Sequence, residues 1–211
     1  MYTSFHDHLF LFLPGQRCGD VLDVAILLDS SGTMRGGYSH AKEFIKTFAD
    51  YYHLGPNSTH IGVISFSEEA HLHVPFNAHQ EHLLFNEDID QIPFYGYRTR
   101  MDLAFKMADT RLYEAQYGAR DRADKIVLLI TDGRQNDGDI SEEKLRLASQ
   151  ASQGLLKKNV KISAIGLYGT RDPDEKMLTT LTGSKDRVHI ITEYEQLYST
   201  SFLEALADDV C

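Results

Sequence analysis

The sequence lacks long apolar runs, basic clusters and internal repeats. No apolar stretch approaches the roughly 20 residues that span a bilayer, so direct membrane insertion is not expected. The chain has 21 lysines and arginines against 31 aspartates and glutamates, for a formal net charge of −10. Because nucleic acids and anionic membranes are bound by basic surfaces, neither is an expected partner. Without repeats or low-complexity tracts, the 211 residues suit one soluble globular domain.

Cysteine is scarce, and Cys18 and Cys211 are the two present. They could be unpaired thiols, or a disulfide could join them, because the ends of a domain often lie close together. We favour the disulfide, which in the chain-entropy model would stabilise the domain by about 4–5 kcal/mol. It implies an oxidising, extracellular location for a secreted protein. A glycosylation sequon at Asn57 points the same way.

The two cysteines also suggest the limits of the domain. Residues 1–17 are predicted to be a linker, a leader remnant or a sequence added for expression. Residues 18–211 then form one domain, which could belong to a larger multidomain protein.

Apolar runs of strand length alternate with helical patterns along the chain. In "DVAILLDSSGTM" (23–34) five apolar residues run into a polar cluster, which is typical of a strand buried on both faces. Further strands are expected at 60–67, 70–76, 125–133, 160–168 and 187–192, with helices at 38–55, 79–92, 101–118, 141–159, 172–183 and 193–210. This order predicts an α/β fold: a doubly wound, mainly parallel sheet with one antiparallel edge strand and helices on both faces.

Polar residues follow the strands where a site is expected. Asp29, Ser31 and Thr33 follow the first strand, Asp132 follows the strand from 125, and Thr99 lies just ahead of a helix. The carboxyl ends of strands are where open α/β sheets bind ligands. Two carboxylates and three hydroxyls are hard oxygen donors, which favour Mg²⁺, Mn²⁺ or Ca²⁺ over zinc or copper.

At these residues the sequence resembles the von Willebrand factor type A domain, also called the integrin inserted-type domain. The family's metal-ion-dependent adhesion site is an Asp-x-Ser-x-Ser run, a later threonine and a later Thr-Asp-Gly. Here the run is Asp29-Ser30-Ser31-Gly32-Thr33, with a threonine in its last place. The later residues match Thr99 and Asp132, while Met101 departs from a second family threonine.

The resemblance covers about residues 18–211 and implies specific roles. It implies that Ser31, Thr33 and Thr99 bind the metal directly and that Asp29 and Asp132 act through water or as conditional ligands. An acidic side chain of a partner would complete the shell of a Mg²⁺ ion, or of Mn²⁺ or Ca²⁺. The resemblance also implies a bracketing cysteine pair, as in extracellular-matrix and plasma members.

The implied function is cation-dependent adhesion to a protein ligand, such as collagen or another matrix protein. Loops around the metal would select that partner. Tyrosine and arginine are enriched at binding hot spots, and these loops contain the candidate ligand contacts Tyr95, Tyr97, Arg98, Arg134, Gln135 and Asn136.

Two alternatives to that function follow from the residues. A structural matrix module could self-associate or bind collagen without the metal. A haloacid-dehalogenase-type phosphatase would use Asp29 as nucleophile, but it needs a second carboxylate where Ser31 stands. With no dinucleotide or phosphate-cradling motif and no catalytic triad, the sequence predicts a binding module and not an enzyme.

The histidines suggest a second metal site. His71 and His73 would share a strand face, and His79 and His82 a helix face, where zinc or copper could bind. Ordinary surface histidines are the simpler interpretation, because no cysteine or acidic ligand completes either pair.

Overall fold

The first predicted strand lies at the centre of the sheet. The structure, a computed structural model, describes residues 21–78, 80–133, 142–168 and 172–210, with the backbone alone given at 142–145 and 210. A six-stranded sheet has the order β3-β2-β1-β4-β5-β6. The strands are β1 (Leu22–Asp29), β2 (Thr59–Phe66), β3 (Ala70–Val74), β4 (Asp124–Thr131), β5 (Lys161–Leu167) and β6 (Val188–Ile191). All neighbouring pairs are parallel except β2 and β3, so the predicted antiparallel edge strand is confirmed.

Helices cover both faces of this sheet, which confirms the predicted α/β architecture. They are α1 (Tyr38–Asp50), α2 (His82–Gln91), α3 (Met101–Met107), α4 (Glu142–Leu156), α5 (Glu175–Thr182) and α6 (Thr200–Val210). Alternate residues of β1 enter two separate cores. Val24 and Ile26 pack with α1, α2 and α6, whereas Ala25 and Leu27 pack with α3, α4 and α5. Because successive strand side chains point to opposite faces, a strand covered on both sides has to be apolar throughout.

The register of the strands brings their carboxyl ends to one edge. Asp29, the last residue of β1, pairs with Phe66 at the end of β2. On the other side Leu28 pairs with Ile130, so Thr131 ends β4 beside Asp29. The residues that follow these strands therefore share one end of the sheet.

Several helices are shorter than predicted. The helix predicted over 38–55 ends at Asp50, and Leu54 instead makes a bridge to Thr59. The helix predicted over 101–118 passes into a single π turn at Ala108–Leu112 and stops. The helix predicted over 193–210 is divided: a 3₁₀ turn covers Tyr194–Tyr198, and α6 begins at Thr200.

No helix in the described part of the chain is long and apolar enough to cross a membrane.

Candidate metal site at the carboxyl ends of β1 and β4

Asp29 is completely buried at the end of β1. One carboxylate oxygen, Oδ1, accepts a 2.8 Å hydrogen bond from the backbone N–H of Ser31. The other, Oδ2, accepts a 2.6 Å hydrogen bond from the hydroxyl of Thr131. That hydroxyl also accepts a 3.0 Å bond from the N–H of Gly133. The turn after β4 is thus tied to the carboxylate that ends β1.

The surroundings of Asp29 disfavour its negative charge. Burial, and then repulsion from the nearby Asp132 carboxylate, raise the pKa of Asp29 to about 7, although the hydrogen bonds from Thr131 and Ser31 pull the pKa down. No lysine or arginine within the described ranges forms an ion pair with Asp29. Asp132 is itself 3% exposed. Two buried carboxylates close together form an environment that a bound cation would stabilise.

Hydroxyl groups lie next to these carboxylates. The Oγ of Ser31 is 3.2 Å from the Oγ1 of Thr33, within the short 3₁₀ turn that follows β1. Ser31 is buried and Thr33 half-buried. The oxygen of each hydroxyl carries lone pairs that can bind a metal.

The hydroxyl of Thr99 is buried and has no hydrogen-bond partner within the described part of the chain. Thr99 is 0% exposed. Leaving a buried hydroxyl without a partner costs about 1–3 kcal/mol, so such groups usually mark a missing ligand or a strained site. An oxygen ligand for a divalent cation fits this position.

The loop that carries Thr99 is fastened to the end of β1. Ser30 accepts two hydrogen bonds from it: its hydroxyl from the N–H of Tyr95 at 2.8 Å, and its carbonyl from the N–H of Gly96 at 2.8 Å. The N–H of Gly32 donates to the carbonyl of Tyr97 at 2.9 Å. The loop therefore lies directly against the Asp29–Thr33 run.

Two glycines permit this close approach. A Cβ on Gly32 would lie 2.9 Å from the carbonyl oxygen of Gly96, closer than such atoms pack. Gly96 itself has φ +80°, a left-handed conformation that residues with a side chain rarely adopt.

The end of β2 holds the same loop from its other side. The hydroxyl of Ser67 accepts a 3.1 Å hydrogen bond from the N–H of Tyr97. The carbonyl of Ser67 accepts a 2.8 Å bond from the N–H of Arg100. Hydrogen bonds on both sides of Thr99 thus fix its position, and α3 begins immediately after at Met101.

The structure brings the five predicted metal residues to this one edge. Ser31 is hydrogen-bonded to Asp29 and lies 3.2 Å from Thr33, hydroxyl to hydroxyl. The Asp132 carboxylate is near that of Asp29, and Thr99 lies in the loop bonded to Gly32. Sequence reasoning missed the residues that orient them, namely Ser30, Ser67 and Thr131. The available signal was their position, because each lies at or directly after the last residue of a strand.

The predicted ligand contacts are partly described. Tyr97 is 67% exposed beside the site, and Arg98 is exposed. Tyr95 is half-buried and stacks on His71, with ring centroids 4.5 Å apart and planes 12° apart. Arg134, Gln135 and Asn136 lie outside the described residues, as do both members of the predicted disulfide, Cys18 and Cys211.

Asn57 lies far from this edge, in the exposed turn before β2. Its Oδ1 accepts a 3.0 Å hydrogen bond from Arg122. The predicted glycosylation site is therefore on the surface, at the opposite end of the sheet.

Both histidines of β3 contact other side chains of the protein. His71 and His73 have ring centroids 6.2 Å apart, and the Nε2 of His73 lies 2.7 Å from the hydroxyl of Ser65. Burial, with His71 nearby, lowers the pKa of His73. No group of three histidine, cysteine, aspartate or glutamate side chains that could hold a metal occurs among the described residues. His79 lies outside them, so the pair it was predicted to form with His82 is not described.

Comparison with known sequences agrees with this arrangement of strands and loops. A sequence model for the von Willebrand factor type A domain matches residues 23–202, which is most of the chain. The chain belongs to the von Willebrand factor type A family. That family match indicates a binding module of the kind found in collagens and integrins, and no enzyme family.

Two relatives of this von Willebrand factor type A domain are matrix or adhesion proteins. It is 22% identical over 190 residues to collagen alpha-1(XII) chain of Notophthalmus viridescens, covering 90% of this chain and 19% of that protein. It is 23% identical over 216 residues to human integrin alpha-10, covering 99% of this chain and 18% of that protein. The chain thus spans about a fifth of the length of these relatives.

A solved structure shares the fold. It is proximal thread matrix protein 1 from the mussel byssus, solved with zinc in its metal-ion-dependent adhesion site (MIDAS) motif. The two structures superpose with a TM-score of 0.79 at 22% identity, covering 92% of this chain and 49% of that one. At this level of identity the likeness concerns the fold of the von Willebrand factor type A domain.

Proposed function

We propose that the protein is an adhesion module that binds a protein ligand through a divalent cation. The cation would be held by Asp29, Ser31, Thr33, Thr99 and Asp132, and Mg²⁺ is the first candidate, with Mn²⁺ or Ca²⁺ as alternatives. When bound, the cation would offer a coordination position to a carboxylate of the ligand.

The observation that carries this proposal is the hydroxyl of Thr99, which is buried without a hydrogen-bond partner in the described chain. Thr99 belongs to a loop that is hydrogen-bonded to Gly32, and Gly32 lies between Ser31 and Thr33, which both carry hydroxyls. Buried polar groups are nearly always satisfied, so three hydroxyls beside two buried carboxylates favour a cation site. The donor set contains no thiolate or imidazole, which favours hard cations.

The relatives support the proposed class of partner. Two of them are named as a collagen and an integrin, and the thread matrix protein has been solved with zinc in its MIDAS motif. We accordingly propose a matrix protein, such as a collagen, as the ligand. An extracellular location, a disulfide between Cys18 and Cys211 and a glycan on Asn57 belong to the same proposal.

Calorimetric titration of chelator-stripped protein with Mg²⁺ and Mn²⁺ tests the metal site. A Ser31→Ala, Thr33→Val variant removes two hydroxyls without disturbing the core, and it should lose the binding heat. Ser201→Ala, Thr110→Val is the matched control, because it removes an exposed serine and an exposed threonine on α6 and in the π turn. A folded wild type that gives no heat with either cation would contradict the proposal.

Binding to immobilised fibrillar collagen tests the adhesive role. Retention should require Mg²⁺ and be abolished by a chelator. Retention that persists in the chelator and in the Ser31→Ala, Thr33→Val variant would instead support a structural module that binds its matrix partner without the metal.

A further inference from the structure

Two serines stand just beyond the last paired residues of β1 and β2. Asp29 pairs with Phe66 in the parallel ladder, and Ser30 and Ser67 are the residues that follow them. The N–H of Ser30 donates to the carbonyl of Phe66 at 2.8 Å, which continues the ladder to this point. Ser30 is 0% exposed and Ser67 is 2% exposed. Ser30 lies within the Asp29–Thr33 run, whereas Ser67 is none of the site residues predicted from the sequence.

Both serines bind the loop that carries Thr99, but at different places along it. The bonds to Ser30 come from the N–H groups three and four positions before Thr99. Ser67 accepts the N–H of Tyr97 on its hydroxyl at 3.1 Å and the N–H of Arg100 on its carbonyl at 2.8 Å. Tyr97 lies two positions before Thr99, and Arg100 lies one position after it. Of the two serines, Ser67 therefore holds the backbone nearest to Thr99.

The backbone of Tyr97 links the end of β2 to the metal run. Its N–H donates to the hydroxyl of Ser67, and its carbonyl accepts the N–H of Gly32 at 2.9 Å. Ser67 is itself held by the turn between β2 and β3, because its N–H donates to the carbonyl of Glu69 at 2.9 Å. The loop is thus fastened on one side by a glycine of the run and on the other by a serine at the end of β2.

The hydroxyl of Thr99 does not fix its own position. It is buried and forms no hydrogen bond within the described part of the chain. Ligands of a metal site need to be held within about 0.5 Å of their productive positions by the groups around them. Because no bond to its own hydroxyl locates Thr99, the bonds to the backbone on either side of it have to do so.

We propose that Ser67 is a positioning residue for the cation: its hydroxyl holds the backbone of Tyr97 so that Thr99 can act as a ligand. This inference rests on the proposed function, because it concerns the same cation. Ser67 does not touch the cation and acts through Thr99. Cation affinity then depends on the end of β2, a strand that supplies none of the five proposed ligands.

Removing the hydroxyl of Ser67 tests this role. Ser67→Ala should weaken the binding of Mg²⁺ and Mn²⁺ in calorimetric titrations about 3- to 10-fold, the equivalent of one hydrogen bond of ordinary net strength. Ser67→Cys has a similar volume, but its thiol is a weak acceptor, so it should lose a similar factor. The carbonyl of residue 67 still binds Arg100 in both variants, so the loop keeps one of these two bonds.

Ser65→Ala is the matched control. Ser65 lies two residues earlier on β2 and is 0% exposed, and its hydroxyl lies 2.7 Å from the Nε2 of His73 instead of binding the loop. Its loss should cost about as much stability in urea as Ser67→Ala and leave both cation affinities unchanged. In the metal-free protein, only Ser67→Ala should speed amide hydrogen exchange at Tyr97.

A double-mutant cycle with Thr99→Val shows whether Ser67 acts through Thr99. Once the hydroxyl of Thr99 is gone, its position no longer matters. Ser67→Ala should therefore weaken Mn²⁺ binding no further when it is added to Thr99→Val. A Ser67 that supported the site independently of Thr99 would lower the affinity by the same factor again, because independent effects add in free energy.

The outcomes separate the two proposals. Wild-type affinity in Ser67→Ala, or a further loss in the double variant, would overturn the positioning role and leave the proposed metal site standing. An equal loss of affinity in Ser65→Ala would attribute the effect to a general weakening of β2 and overturn that role as well. A folded wild type that binds neither cation would contradict the proposed function and the role of Ser67 together.

Discussion

At the scale of single residues, the buried hydroxyls of Thr99 and Ser163 can be compared. Thr99 lies at the proposed metal site, whereas Ser163 is 0% exposed in the middle of β5. Both hydroxyls are without a hydrogen bond among the described residues. An unsatisfied hydroxyl is a cost in the metal-free protein wherever it occurs, but only the hydroxyl of Thr99 has a proposed use.

The variants Thr99→Val and Ser163→Ala should therefore agree in stability and differ in metal binding. Each should leave the metal-free protein as stable as the wild type or up to about 1 kcal/mol more stable, because no hydrogen bond is lost. Thr99→Val should weaken Mg²⁺ at least about tenfold, since a direct ligand is gone, and Ser163→Ala should leave it unchanged. Urea unfolding and calorimetry give the two readouts. Unaltered Mg²⁺ affinity in Thr99→Val would exclude Thr99 as a ligand.

His60 should make the stability of the protein depend on pH. Burial first, and the nearby Arg120 second, lower its pKa below the ordinary value of about 6.5. As the pH falls below 6.5, the His60 imidazole takes up a proton in the unfolded chain before it does so in the folded protein. The contribution of the neutral imidazole to stability is therefore complete above pH 6.5 and is lost as the pH falls through the lowered pKa.

Unfolding by urea at pH 7.5 and pH 5.5 measures this effect. The wild type should lose more free energy of unfolding between these pH values than a His60→Gln variant, whose side chain does not titrate. The control, His53→Gln, changes an exposed histidine and should keep the wild-type dependence. Equal losses in the wild type and in His60→Gln would contradict the prediction.

The five candidate metal residues were predictable because their positions next to predicted strands and helices can be read from short stretches of the sequence. Each follows a strand or precedes a helix, and parallel strands bring such positions to one edge. The supporting bonds were not predictable, because Thr131 and Ser67 act across strands that are distant in the sequence. Their partners are fixed only when the strand order is known.

At the scale of elements, the strands were predicted more accurately than the helices. Buried strands are apolar throughout and are bounded by polar residues, so β1 and β4 differ from prediction by few residues. Helix ends depend on contacts made elsewhere. Glu193 and Gln196 form a capping box that closes a separate 3₁₀ turn, and Ser199 is extended at ψ 138°, so the continuous pattern from 193 contains a break.

The same break divides a set of apolar side chains that recur at helical spacing in the sequence, namely Tyr194, Tyr198, Phe202 and Leu206. Leu206 on α6 is buried in the core, as its helical spacing indicates, and Phe202 packs against it. Tyr194 and Tyr198 lie in the 3₁₀ turn and also pack against that core. Both contact His40 of α1, Tyr194 by stacking at 4.5 Å and Tyr198 by a 3.1 Å hydrogen bond.

Two glycines should respond oppositely to substitution by alanine. Gly154 lies inside α4, and a Cβ there would meet nothing within 4 Å, so Gly154→Ala should stabilise the protein by about 0.5–1 kcal/mol. Gly166 lies in β5, where a Cβ would come within 2.8 Å of Ile190 and 2.9 Å of Leu178. Gly166→Ala should therefore destabilise it by about 1–3 kcal/mol. Midpoints of urea unfolding report both, and stabilisation by Gly166→Ala would contradict the packing described.

At the scale of the whole molecule, β1 carries a completely buried aspartate near each end. Asp23 is neutralised within the protein, because Arg120 donates to its carboxylate from its side chain at 2.9 Å and from its backbone at 2.7 Å. Asp29, about 20 Å away along the strand, has no such arginine among the described residues and faces Asp132 instead. One end of β1 thus carries an internal ion pair, and the other carries the proposed cation site.

Removing the internal partner should destabilise the domain whether or not metal is present. Arg120→Met leaves Asp23 buried without a counter-charge, which costs about 3–5 kcal/mol. Arg122→Met is the control, because Arg122 is exposed and makes one 3.0 Å bond to Asn57; its cost should be within about 0.5 kcal/mol. Thermal unfolding with and without Mg²⁺ measures both. A loss in Arg120→Met that Mg²⁺ fully reversed would show that the two ends of β1 are not independent.

Metal binding at the other end should stabilise the folded protein by mass action. At a Mg²⁺ concentration 100 times its dissociation constant the free energy of unfolding should rise by about 2.7 kcal/mol. For a domain of this length the melting temperature should then rise by about 5–10 °C. A formal net charge of −10 means that cations could also stabilise the protein by binding diffusely to its surface. The Ser31→Ala, Thr33→Val variant separates the two effects, since it keeps the net charge and lacks two of the proposed ligands. Calorimetric scans should show the rise in the wild type and little in the variant, and an equal rise in both would attribute it to surface charge rather than to the site.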